Sequence, residues 1–61
     1  MKDYRVKIKY GNPGEYKHNS QDVTVKAVDE TAAAQLAVSK FKSSNAAYKN
    51  KDVDVVQVKE I

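Results

Sequence analysis

A run of strictly alternating apolar and basic residues near the start constrains this chain most. In residues 4–10, Tyr-Arg-Val-Lys-Ile-Lys-Tyr, aromatic or β-branched residues take every second position, and Arg5, Lys7 and Lys9 lie between them. Successive side chains of a strand point to opposite faces of a sheet. The period of two therefore predicts a β-strand with one face against a core and the other in water.

A turn and a second alternating run follow the first strand. Pro13 and Gly14 suit the central positions of a type II turn, because proline presets φ at the first and glycine accepts a positive φ at the second. Residues 22–28 alternate again, so the two runs predict a β-hairpin. The polar stretch 15–21 is either a ragged extension of the second strand or a mobile tip, and we favour the mobile tip.

A helix is predicted after the hairpin. Asp29 is a good N-cap, and the alanine-rich segment that follows has high helix propensity as far as Lys42. Asn45 is expected to end the helix in the left-handed conformation. The side chains expected to face the sheet are Ala33, Leu36, Ala37 and Phe41, flanked by Ala34 and Val38.

The last strand, residues 53–61, is predicted to contain a β-bulge. Val53 and Val55 share one face, but Val58 is out of phase with them unless one residue is inserted near Val56 and Gln57. The element order is then ββαβ in a single domain, residues 1–61, of the α+β class. We expect a three-stranded sheet of order 2-1-3, with the first strand antiparallel to both neighbours and the helix on one face.

Basic residues concentrate on the sheet face that the helix is not expected to cover. The net charge is +3, and this face is expected to present Arg5, Lys7, Lys9, Thr24, Lys26 and Asp54. Two interpretations stay open: an ordinary solvated face, and a platform that binds nucleic acid or an acidic protein surface. The face lacks an aromatic stacking platform, which disfavours base-specific binding. Tyr16 and Tyr48 are expected in loops, where they could stack on a partner.

The residue content disfavours catalysis and implies no cofactor and no metal. The chain has no cysteine, and its single histidine, His18, lies in a polar segment without an obvious acid or nucleophile. Two glycines cannot form a Gly-rich phosphate loop. Asp52 and Asp54 would share a sheet face, but no further metal ligand or acid accompanies them. We therefore expect a non-catalytic protein.

The small size and the sheet edges point to a partner. Sixty-one residues are near the lower limit for a domain that folds alone, and both outer strands would leave backbone groups unpaired. A homodimer through an edge or a sheet face is one expectation, with Val56 at the contact; a lone edge protected by nearby charges is an equally good one. Because no apolar run could span a membrane and no signal core is present, we expect a cytoplasmic protein without membrane contact.

The apolar spacing of the second half resembles two groups of small proteins. The pattern is Val25-x-Ala27-x-Asp29, then helix alanines, then Lys51-x-Val53-x-Val55-x-x-Val58-x-Glu60-Ile61. It resembles the archaeal ribosomal protein LX and its eukaryotic relatives, and is similar to short ββαβ proteins that phages and prophages encode, including some anti-CRISPR inhibitors. The resemblance covers about two thirds of the chain and implies the ββαβ fold.

Together these features predict a binding or regulatory protein that docks to a macromolecule. A protein partner is expected first, and the phage resemblance implies an inhibitor of a host complex. The alternative is binding to an RNA or DNA backbone through Arg5, Lys7, Lys9 and Lys26.

Overall fold

The chain folds in the predicted order of two strands, a helix and a third strand. A computed structural model describes residues 1–61. Its elements are β1 (Lys2–Gly11), β2 (Asn19–Ala27), α1 (Glu30–Ser44), a short 3-10 helix (Ala46–Tyr48) and β3 (Asp52–Glu60). No helix of the chain has the length and apolar character that crossing a membrane requires.

The three strands form one antiparallel sheet in the order β2-β1-β3. The central strand β1 is antiparallel to both neighbours, and α1 packs on one face. This confirms the predicted α+β class, the ββαβ arrangement and the strand order. β2 begins at Asn19, because Asn19, Ser20 and Gln21 pair with Tyr10, Lys9 and Ile8. The favoured mobile tip is therefore wrong for these three residues, which extend the strand.

The core lies between the sheet and α1. Its nine buried residues are Tyr4, Val6, Ile8, Val23, Val25, Ala27, Ala33, Ala37 and Phe41. The alanines of α1 have short side chains, so the helix can lie close to the strands. Leu36 was expected in the core but is 46% exposed. Leu36 lies about 100° around the helix axis from the buried Ala37. It is therefore on the side of α1 that faces β2, where it lines a depression with Thr24 and Lys26.

The predicted β-bulge is present in β3. Lys7 pairs with Gln57 and Ile8 pairs with Val55, so Val56 is the extra residue. The insertion keeps the valines of β3 in phase with the core. Val53, Val55 and Val58 lie opposite Tyr10, Ile8 and Val6.

Local hydrogen bonds confirm the turn and the helix start but correct the helix end. Gly14 has φ +80°, and the Glu15 N–H donates to the Asn12 carbonyl at 3.0 Å, as a type II turn requires. The Asp29 carboxylate accepts from the Ala32 N–H at 2.8 Å. Asn45 has φ −152° and ψ 130°, so it is extended rather than left-handed. Its side chain accepts from the Ala47 N–H at 2.9 Å and caps the 3-10 helix instead.

Three aromatic rings close one end of the core. The Phe41 and Tyr48 rings stack with centroids 4.4 Å apart and an interplanar angle of 11°, and Tyr10 lies 4.7 Å from Phe41 and 5.3 Å from Tyr48. Tyr48 is therefore a half-buried packing residue and not a free loop side chain, because the 3-10 helix returns it to Phe41. A hydrogen bond with the Tyr48 hydroxyl, followed by partial burial, raises the pKa of Tyr10.

Candidate binding surface

The face of the sheet opposite α1, here called the open face, carries the polar residues of all three strands. Its odd-numbered β1 residues alternate with the buried ones, and the register assigns the residues beside them. The exposed members are Asp3, Arg5, Lys7, Lys9, Ser20, Asp22, Thr24, Lys26, Asp52, Asp54, Val56, Gln57 and Lys59. An antiparallel sheet tolerates such a face in water.

The strand register pairs most of the predicted basic residues with carboxylates. Lys7 lies opposite Asp22, Lys9 lies opposite Asp54, and Lys26 lies opposite Asp3. Opposite charges at facing positions of a sheet attract each other modestly, by about 0.2–1 kcal/mol. The open face is therefore a mixed-charge surface and less basic than the sequence predicts. Asp22 could have been found from its parity with Thr24 and Lys26.

One part of the open face keeps an excess of positive over negative charge. Arg5 lies directly opposite Lys59, and Lys7 is the next open-face residue of β1; these three residues are here called the basic cluster. With Asp22 and Gln57 they line a shallow depression of about 210 Å³. Neither of the protein's two ion pairs involves them. Like charges at facing positions repel, so an anionic group bound in this depression would relieve the repulsion.

The segment after the turn folds back over one end of the open face. A Cβ atom on Gly11 would lie 3.1 Å from the Lys17 Cα atom and 3.2 Å from the Tyr16 carbonyl oxygen, so any other residue there would push this segment away by a few tenths of an ångström. The Lys17 Nζ atom lies 3.2 Å from Asp54 Oδ2, which joins the segment to β3. Gly11 therefore favours a close backbone approach, whereas Gly14 serves the turn.

Tyr16 gives this end of the open face an exposed aromatic ring. The ring is 73% exposed and lies edge-on to His18, with ring centroids 4.8 Å apart. With Lys9, Glu15, Lys17 and Asp54, Tyr16 lines a second depression of about 280 Å³. Tyr16 lies in a loop, as expected, and the fold-back over Gly11, which strand periodicity does not show, brings it beside Lys9 and Asp54 of the open face.

The structure brings most of the predicted binding residues to one surface. Five of them lie on the open face and Tyr16 lies at its end; the five are Arg5, Lys7, Lys9, Lys26 and Val56. Tyr48 does not join them, because it packs against the core cluster beside Phe41. Lys59 was missed, although the bulge that restores the phase of Val58 also turns Lys59 to the open face.

Every buried polar side-chain atom has a hydrogen-bond partner. No three His, Asp or Glu side chains come together as metal ligands. Comparison with protein-family models, curated proteins and solved structures finds no match to the chain.

Proposed function

We propose that this protein is a non-catalytic binding protein that docks to a protein partner through its open face. The observation that carries the proposal is the mixed charge of this face, with an excess of positive charge at the basic cluster. A protein surface can offer carboxylates to the basic cluster and basic groups to Asp22 and Asp54. The phosphate backbone of a nucleic acid offers negative charge only, and would meet these aspartates unfavourably.

The composition of the face also favours a protein partner. Arginine and tyrosine are the residue types that most often dominate binding energy in protein interfaces; Arg5 lies in the basic cluster and Tyr16 at the end of the face. Val56 is 51% exposed beside Lys7 and adds apolar area. Such a surface resembles the part-polar, part-apolar character of non-obligate interfaces.

The dimensions of the molecule suit one partner on this face. The chain measures 34 × 19 × 14 Å. A rectangle with the two larger dimensions covers about 650 Å², which is of the same order as the roughly 800 Å² that each partner buries in a standard interface. The apolar spacing similar to phage-encoded inhibitors agrees with docking as the mode of action, and within this proposal the partner belongs to a host complex.

Single charge reversals in the basic cluster test the proposal without threatening the fold. Arg5→Glu and Lys59→Glu each turn a like-charged facing pair into an opposite-charged one, so folding should be unaffected or slightly favoured. Lys49→Glu is the matched control, because Lys49 is exposed and lies outside the sheet. The three variants and the unchanged protein are immobilised and used to capture partners from a lysate of the native cells.

We expect one stoichiometric protein to be retained by the unchanged chain and by Lys49→Glu, and lost with both cluster variants. A parallel titration with generic duplex and single-stranded DNA and RNA tests the alternative. Binding there at low salt, with log affinity falling against log salt at a slope of about −2 to −3 for three cations, would replace the proposal with backbone binding. A partner that both cluster variants still retain would overturn it.

A further inference from the structure

The two outer edges of the sheet differ in how they are protected. On the β2 edge the Lys40 Nζ atom donates to the Thr24 carbonyl at 2.9 Å, so an ammonium group occupies a position that another strand would need. Lysine at an edge is a common protection against pairing with another chain. The outer edge of β3 has no such contact and runs over nine residues, Asp52–Glu60.

The hydrogen bond at the end of β3 tells which of its backbone groups face the free edge. The Ile61 N–H donates to the Asp3 carbonyl at 2.9 Å, so Ile61 points its backbone groups to β1. Alternate residues of a strand point these groups to opposite sides, so Glu60 and Val58 face outward. The backbone groups of Asp3 and of the other odd-numbered β1 residues point to β3, and those of the even-numbered residues point to β2. Because Val55 and Val53 pair with even-numbered β1 residues, their own backbone groups also point to the free edge.

The bulge gives β3 a symmetrical pattern of side chains. From Val53 to Val55 the side chains point alternately to the core side and the open face, and from Val58 to Glu60 they do the same. Val56 and Gln57 together oppose Lys7, an open-face residue, as the two residues of a β-bulge do, so we assign both to the open face, one on each side of the centre. The side chains of residues 53–60 therefore alternate between the core side and the open face in the same order whether the strand is followed from Val53 or from Glu60.

We propose that β3 pairs antiparallel with β3 of a second copy of this chain, around a two-fold axis between Val56 and Gln57. The two sheets would join into one of six strands. The facing pairs are Val53 with Glu60, Asp54 with Lys59, Val55 with Val58, and Val56 with Gln57, each formed twice. A shift by one or two residues in either direction places an open-face side chain opposite a core-side one, so this register is the one that keeps both faces continuous.

The paired side chains are complementary in this register. Asp54 meets Lys59 of the other copy on both sides of the axis, which gives two opposite-charge pairs. On the core side, Val55 is 39% exposed in a single chain and would be covered by Val58 of the other copy. The outward-facing residues meet one another, so about eight backbone hydrogen bonds become available.

A groove between α1 and β3 lies beside this edge. It is lined by Ala34, Gln35, Val38, Ser39 and Val55. In the proposed dimer its apolar members would lie on the same side of the joined sheet as α1 of the second copy. The dimer goes beyond the proposed docking function and does not depend on it, because Arg5 and Lys7 of the basic cluster lie on the central strand β1, away from the joined edges.

Charge exchange across the axis tests the dimer and its register together. Asp54→Lys and Lys59→Asp each place like charges opposite each other twice, and we expect each to weaken self-association of the full chain about ten- to thirty-fold. An equimolar mixture of the two variants should recover the original affinity, because every new lysine then meets an aspartate. Asp22→Lys is the control, since Asp22 is an exposed open-face aspartate on β2.

Sedimentation of each protein between about 1 µM and 1 mM measures association, and circular dichroism checks that each variant folds. Amide hydrogen exchange of the unchanged chain gives a second readout that needs no substitution. We expect the Val55 and Val58 amides to exchange more slowly as concentration rises. A monomer throughout this range, or a dimer that neither charge variant weakens, would overturn the proposal.

Discussion

Replacing Gly11 with alanine should loosen the end of the open face where Tyr16 lies. The added methyl group would lie 3.1 Å from the Lys17 Cα atom and 3.2 Å from the Tyr16 carbonyl oxygen. Both neighbours are backbone atoms, so neither can rotate away as the end of a long side chain could. The segment after the turn must shift, and the ion pair of Lys17 with Asp54 shifts with it.

The size of the effect follows from two opposing contributions. Forcing a methyl group into a well-packed position costs about 1–3 kcal/mol. Alanine also restricts the unfolded chain more than glycine does, and this raises the free energy of unfolding by about 0.4–1 kcal/mol. The free energy of unfolding should therefore fall by about 1 kcal/mol, and the Tm by about 4–8 °C for a domain of this length.

Urea and thermal unfolding, followed by circular dichroism, measure this change, and the Lys17 and Tyr16 amide chemical shifts report the local movement. Gly14→Ala is the matched control, because nothing lies within 4 Å of its new methyl group. Any decrease in its free energy of unfolding comes from the positive φ of +80° alone, and the Lys17 amide chemical shift should stay unchanged. If Gly11→Ala unfolds at the same urea concentration as the original chain, with unchanged Lys17 shifts, the fold-back over Gly11 is refuted.

Three further predictions concern the scaffold. Asp29→Ala should lower the free energy of unfolding, measured by urea titration, by about 1 kcal/mol. Asp29→Asn should lower it by less, because asparagine can still cap the helix. Equal losses in the two variants would show that the cap bond contributes nothing. Phe41→Leu should lower the free energy of unfolding by about 1–2 kcal/mol, because its aromatic contacts are lost. Phe41→Ala should lower it by about 3–5 kcal/mol and leave a large unfolded fraction at 25 °C. Equally small losses in both variants would contradict the packing of Phe41 against Tyr10 and Tyr48. Since the Tyr48 hydroxyl raises the pKa of Tyr10, the folded state keeps a proton that the unfolded chain releases above its ordinary pKa of about 10. Stability should therefore fall as pH rises above 10, less steeply in Tyr48→Phe, and an unaltered slope would argue against this hydrogen bond.

Much of the fold was predictable because its elements carry strong local patterns. The alternation of residues 4–10 corresponds to β1, the Pro13–Gly14 turn forms as expected, and the cap at Asp29 starts α1. The bulge was predictable for a different reason. Val53, Val55 and Val58 can lie on the core side together only if one extra residue stands between them. The burial of these valines therefore predicts the bulge, although backbone propensity alone does not.

The errors arose where contacts distant in sequence decide the outcome. The pairing of Asn19 with Tyr10 extends β2 although the residues involved are polar. The stacking of Tyr48 on Phe41 depends on how the 3-10 helix returns to the core, and neither residue type signals it. Leu36 shows that a helix packed through small alanines buries a narrower stripe than its apolar residues suggest.

The candidate surface was predicted in part. The basic residues of β1 were assigned to the correct face, because parity alone fixes their side. Their neighbours depend on register, which pairs Lys7 with Asp22 and Lys9 with Asp54, and so changes a basic platform into a mixed-charge surface with one basic cluster.

Photo-crosslinking from the open face tests the docking proposal most directly. A benzophenone side chain replaces Thr24 in one protein and Lys49 in another; both residues are exposed, Thr24 on the open face and Lys49 outside the sheet. After irradiation in the native cells, we predict one crosslinked protein from the Thr24 position and none from the Lys49 position. A partner captured only from Lys49, or nucleic acid captured from Thr24, would contradict the account.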